Sequence, residues 1–265
     1  MRDCQRIWTM VTAILWTCGA GLTTAADAPK EAEGPKADAS PAAASSPGDA
    51  ASGIVRVTKD YDLWIDPKQK LVIVDGRVCL REGQLEMFAC PKGTKEHESI
   101  VSVNCKAQFV HAALVAVGAQ PGKPVSFDPV YRAASGPVVE VYVLWQDAAG
   151  KKNRVRAQEW IKELKTDKAM TDHWVFTGSG FWTDESTGER YYQADGGEFI
   201  CVSNFPTAML DLPIKSTQAN ESLLFAAFTE RIPPIDTKIR LVLIPQLEKK
   251  KEAGKQAEKP EPAKP

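Results

Sequence analysis

Between Cys90 and His111 the chain carries the ligand types of a tetrahedral zinc site: two thiols, Cys90 and Cys105, and two imidazoles, His97 and His111. Glu96 and Glu98 flank His97 in CPKGTKEHESI, where a carboxylate would orient an imidazole or move a proton. The spacing C-x6-H-x7-C-x5-H lacks the tight C-x2-C knuckle of a zinc ribbon. Three readings therefore stand side by side: a zinc or iron centre, a metal-free ligand or catalytic site, and a polar loop leading into the strand SIVSV. His111 also lies at the edge of an apolar helical face, where a half-buried structural histidine is common.

The cysteines allow a second chemistry. Cys4 and Cys18 fall in the N-terminal segment, leaving Cys79, Cys90, Cys105 and Cys201 for the folded region. An even number in an exported chain is compatible with disulfides, and Cys79–Cys90, at the two ends of a strand–turn–strand segment, is the simplest pair. Free thiols are the alternative, because Cys79 and Cys201 sit in apolar strand patterns. Other catalytic patterns fail. FTGSGFW has Thr177 where a nucleophile elbow around Ser179 needs glycine, and its glycines serve a bent strand instead. Phosphate-cradling glycine motifs are absent from the sequence. YYQADGGEF reads as a hairpin turn or the lining of a groove. Trp174 and Trp182 would stack on sugars if exposed, and otherwise pack in the core.

The elements that must position these residues follow from pattern. MRDCQR and the uncharged run IWTMVTAILWTCGAGLTTAA form a secretory signal over residues 1–26, cut near Ala26 or retained as an anchor; Cys18 as a lipidation site is a third form. Residues 27–53 are an Ala/Pro/Ser-rich disordered spacer, and 247–265 a Lys/Pro/Glu/Ala tail. Between them, residues 54–246 make one domain. Turn signals at Asp66-Pro67, Asp75-Gly76 and Glu82-Gly83 separate its first strands. Ala107, Val110, Leu114 and Val117 share one helical face, with Asn104 as N-cap and Gly118 as terminator. PVVEVYVLWQD and IRLVLIPQ alternate as strands. Gln158 to Lys165 reads as a short helix and NESLLFAAFTER as a longer one. HWVFTGSGFW, RYYQA and FICVSN read as an antiparallel meander. The expected class is α+β: a mostly antiparallel sheet with two or three helices, flanked by disordered tails.

VDGRVCLREGQLEMFACPKGTKEHESIVSV, FVHAALVAVGAQPGKPV, WVFTGSGFW and FICVSNFPTAMLDLP together resemble the YdjY-domain family of bacterial proteins, over about residues 68–246. The resemblance implies no established activity and carries over no catalytic residue. Some members are associated with iron–sulfur chemistry, but the four cysteines here are too widely spread for a ferredoxin-type site.

A formal charge of -1 with no basic stripe argues against nucleic-acid binding. The expected protein is exported to the periplasm, envelope or medium and touches membrane only through its N-terminal segment. It is a non-catalytic binding or accessory module for an envelope protein or small ligand. The alternative is a metal-binding or redox-active domain built on Cys90–His111.

Overall fold

The computed structural model describes residues 53–216 and 223–247. The signal, most of the spacer and nearly all of the C-terminal tail lie outside the described residues. The strands are β1 (Val55–Arg56), β2 (Leu63–Asp66), β3 (Leu71–Val78), β4 (Met87–Pro91), β5 (Ser99–Val103), β6 (Val138–Gln146), β7 (Lys152–Arg156) and β8 (Ile161–Glu163). They continue with β9 (Lys168–Ala169), β10 (Trp174–Phe176), β11 (Phe181–Thr183), β12 (Arg190–Tyr192), β13 (Ile200–Cys201), β14 (Leu210–Asp211), β15 (Phe225–Ala227) and β16 (Lys238–Pro245). One α-helix, α1 (Ala107–Ala116), is present among the described residues.

The expectation of an α+β sheet is corrected: the domain is a closed β-barrel. Its wall runs β3–β16–β6–β10–β14–β13–β4–β5, and β5 pairs back onto β3 through Gly76↔Val103 and Val78↔Val101. The β4–β5 and β13–β14 pairs are parallel and the other wall pairs antiparallel. Alternation fills the interior. Leu241 lies opposite both Val74 and Val143, and Leu243 opposite Val72 and Val141, and all six are buried. Each such side chain contributes roughly 1.5–3 kcal/mol of burial.

Closure depends on Gly76. A Cβ there would stand 2.7 Å from the Ser102 carbonyl oxygen, so only glycine lets β5 approach β3 this closely. Asp75-Gly76, expected as a turn, is therefore continuous strand. Along one edge β3 pairs first with β2 and then, from Gly76, with β5.

Helix α1 forms where its period places it, burying Ala107, Val110, Ala113 and Leu114. Its first turn is not capped by Asn104; Asp195 Oδ1 accepts the Gln108 N–H at 3.0 Å from far along the chain. Gly118, at φ +106, ends the helix, and its N–H reaches the Val115 carbonyl.

Neither of the two other expected helices forms among the described residues. Gln158–Lys165 is a 3-10 turn, Ala157–Trp160, followed by β8; the adjacent Trp160 and Ile161 are both fully buried, which a solvent-faced helix cannot achieve. In NESLLFAAFTER, the described part from Leu223 gives β15 and a 3-10 turn, Thr229–Arg231. Leu85 N–H bonds Phe225 O and Ala227 N–H bonds Gly83 O, on the edge opposite β8. A short apolar run buried on both faces has no period to separate helix from strand. Nor is there a meander: β10 and β13 belong to the wall, while β11 and β12 form a separate hairpin. Gly178 and Ser179, both at positive φ (+88 and +54), turn the chain out of the barrel between β10 and β11. No helix among the described residues is long and apolar enough to cross a membrane.

Candidate functional site

CPKGTKEHESI is a loop held by its own hydrogen bonds. Glu96 Oε1 accepts the Gly93 N–H, Thr94 Oγ1 donates to the Pro91 carbonyl at 2.6 Å, and Glu98 N–H reaches the Lys95 carbonyl. His97 points to solvent with its side chain 76% exposed, 3.8 Å from Glu98. Cys90 and Cys105 are buried in different surroundings, and His111 is engaged elsewhere. Cys90, His97, Cys105 and His111 are not brought together. Among the described residues no group of three or more His, Cys, Asp or Glu side chains is arranged to hold a metal.

His111 Nδ1 lies 2.9 Å from the Tyr192 hydroxyl, which donates to the Gly178 carbonyl at 2.9 Å. Its ring meets Phe176 and Tyr192 edge-on. Burial lowers its pKa, so the neutral imidazole is favoured. Ser179 Oγ donates to the Thr207 carbonyl at 2.6 Å. These contacts pin the β10–β11 corner against α1.

Cys79, which follows β3, and Cys90, in β4, lie on either side of β5. Cys79 and Leu80 both donate their N–H to the Ile100 carbonyl, the two-against-one pattern of a bulge, which re-aims a side chain. Both cysteines are free thiols, and the Cys79 thiol donates to the Ser99 carbonyl at 3.0 Å. The neighbouring Cys79 thiol, then the Ser99 and Thr94 side chains and the Lys95 backbone, pull the Cys90 thiol below the ordinary range; the Cys79 thiol is pushed up. Burial pushes Cys105 up to about 12 and raises Cys201 well above the ordinary thiol range.

A cluster around Lys95 escaped the sequence reading. Its ammonium lies 3.1 Å from Glu98, 3.4 Å from Glu198 and 3.8 Å from Glu86, and over the Phe205 ring. The stem crosses Gly197, where a Cβ would meet Lys95 Cγ and Cδ at 2.6 Å. Burial, then the neighbouring Glu98, raise the Glu86 pKa. Asp211 is wholly buried. Its Oδ1 accepts from Leu212 N–H at 2.7 Å and Asn204 Nδ2 at 3.2 Å, while Oδ2 has no partner. Burial pushes its carboxyl up to about 7.

The tryptophan question divides. Trp174 is fully buried and donates to the Cys201 carbonyl at 2.7 Å, a core role. Trp182 is 53% exposed on the β11–β12 hairpin and stacks on its cross-strand neighbour Tyr191, ring planes 29° apart. On the hairpin's other face Phe181 covers Tyr192 edge-on and carries Arg190 over its ring at 4.3 Å. Tyr191 donates to Glu189, and Asp184 holds the turn by accepting from Ser186 N–H and Oγ.

Among the described residues, a closed eight-stranded barrel with one covering helix and a projecting aromatic hairpin thus defines the class. The YdjY domain family model matches residues 63–244, well over half of the chain. The protein belongs to the YdjY-domain family. No curated protein and no solved structure matches it.

Proposed function

We propose that the protein is an exported, non-catalytic binding module of the cell envelope, and that its β11–β12 hairpin holds neutral glycan chains. The observation that carries this reading is the exposed Trp182–Tyr191 stack, a flat apolar surface on a hairpin fixed to the barrel by Tyr192. The apolar face of a sugar ring stacks on such a surface, and the rim of Thr183, Asp184, Glu189 and Arg190 offers hydrogen bonds to its hydroxyls. Charge selects the partner. Residues 181–192 carry Asp184, Glu185 and Glu189 against Arg190 alone, which disfavours phosphate-rich polymers and anionic lipid surfaces. Export follows from the signal-like residues 1–26, and the spacer-like 27–53 would let the barrel reach away from its attachment.

The test is co-sedimentation of the full chain with insoluble cellulose and chitin, beside Trp182→Ala. Losing an aromatic anchor worth about 2 kcal/mol weakens binding roughly thirty-fold. Folding should be unaffected, because an exposed position changes stability by no more than about 0.5 kcal/mol. Equal binding by the variant, or binding to neither polysaccharide, would refute the glycan reading. A tagged chain found wholly in the cytosol would refute export.

A further inference from the structure

We infer that a cleft on the outer face of the wall, where β3 passes from β2 to β5, binds a small phosphate monoester. Its volume of about 380 Å³ lies at the lower end of small-molecule sites, which begin near ~300 Å³. The strand register sets its walls. Lys238 on β16 lies opposite Arg77 on β3, and Arg77 lies opposite Ser102 on β5, so the three side chains stand in one row on the outward face. Lys92, just past β4 with its N–H on the Val103 carbonyl, and Asn104, just past β5, complete the rim. None of the hairpin residues 181–192 lines the cleft, so this site stands independently of the glycan reading.

Charge decides the class of ligand. The two carboxylates that line the cleft are already neutralised: Arg240 Nε and Nη2 donate to Asp75 at 2.6 and 2.9 Å, and Arg56 Nη2 donates to Asp62 at 3.0 Å. Both guanidiniums also lie over the Trp64 ring, at 5.0 and 5.6 Å, which holds them against those partners. Two further carboxylates stand beside the lining residues. Glu96 accepts the Gly93 N–H and meets Ser102 Oγ only at 3.5 Å, while Asp236, its side chain 75% exposed, stands 3.6 Å from Arg77. Among the described residues, no hydrogen bond or ion pair engages the Lys92 or Lys238 ammonium. Two unspent lysines and a loosely held arginine match a phosphate monoester, which carries about −1.5 to −2 charge near pH 7 and three strong acceptor oxygens. The donors arrive from β16, β3, β5 and the end of β4. That spread suits oxygens set tetrahedrally better than the flat pair of a carboxylate. Ser102, 2% exposed, and the Asn104 amide add neutral donors.

The experiment titrates the folded full chain with glycerol 3-phosphate by isothermal calorimetry at fixed ionic strength, beside malonate as a dicarboxylate of similar charge. The expected result is saturable binding of the phosphate and roughly ten-fold weaker binding of malonate. Lys92→Ala and Lys238→Ala should each weaken phosphate binding about five- to ten-fold, and the double variant should abolish saturation. Lys215→Ala removes a lysine that lies over Tyr131 and does not line the cleft, and should leave binding unchanged. All three lysines are exposed, so the variants should keep the fold, which near-ultraviolet circular dichroism checks. No saturable binding of glycerol 3-phosphate, equal binding of malonate, unchanged binding in the double variant, or the same loss in Lys215→Ala as in Lys92→Ala would each overturn the proposal.

Discussion

Replacing Asp211 by asparagine should remove a pH dependence that its burial builds into the barrel. The carboxyl is wholly buried, with one oxygen satisfied by Leu212 and Asn204 and the other without a partner. Burial raises its pKa from 3.8 to about 7. A group that holds its proton more tightly folded than unfolded contributes stability fully present below its unfolded pKa. That contribution is lost as pH rises through the folded pKa. The window runs from pH about 4 to about 7, and roughly three pKa steps at 1.36 kcal/mol each set an upper limit of about 4 kcal/mol. The substituted amide would keep an oxygen for Leu212 N–H but bring an N–H2 group to the unpartnered side. That costs roughly 1–3 kcal/mol at every pH. Urea unfolding at pH 5 and pH 8, followed by tryptophan fluorescence, separates the constant cost from the slope. Relative to the natural chain, Asp211→Asn should gain stability between pH 5 and pH 8, by up to about 3 kcal/mol. His111, lowered by burial, contributes the opposite slope, and Glu86, raised, the same slope, but both are common to the two chains and cancel in the comparison. Identical slopes would refute the assignment of a buried, protonating carboxyl.

Lys95→Met strands Glu86, Glu98 and Glu198 together without their cation, and should cost about 2–3 kcal/mol at pH 8, less at pH 5, which lies nearer the raised pKa of Glu86. Urea midpoints at the two pH values measure this; an equal loss at both would mean that the carboxylates do not couple. Gly76→Ala should destabilise the barrel by roughly 1–3 kcal/mol, because its Cβ meets the Ser102 backbone rather than a side chain that can swing away. A melting temperature unchanged by this substitution would show that β3 and β5 need no such close approach.

Long elements were legible and closure was not. Helix α1 and strands β6 and β16 carry a full period, so their residues announce which face is buried. Strands β13 and β14 are two residues long and carry no period, yet they complete the wall between β4 and β10. Gly76 is ambiguous in the same way: Asp-Gly marks turns, and only the arrival of β5 reveals why glycine stands inside a strand. Cys79 and Cys90 could be picked out as neighbours in sequence, but a third strand, β5, runs between theirs. Lys95 lies inside CPKGTKEHESI, yet two of its partners, Glu86 and Glu198, stand outside that stretch. Trp174 and Trp182 look alike in sequence. The left-handed corner at Gly178-Ser179 is what sends one into the core and the other to the surface.

The barrel's dimensions bear on where binding can occur. Eight strands enclose an interior just wide enough to be filled by side chains or to hold one small ligand. Here the rows through Val72, Val74, Leu241 and Leu243 are filled by buried aliphatic side chains. On the outer face of the wall, where β3 passes from β2 to β5, lies a cleft of about 380 Å³ lined by Asp62, Asp75, Arg77, Ser102 and Lys238. Asp75 and Asp62 are already occupied by Arg240 and Arg56. A lumen packed with valine and leucine has no place for a ligand without losing several kilocalories of burial, so the proposed recognition is assigned to the outer surface. There the hairpin offers stacked aromatic rings.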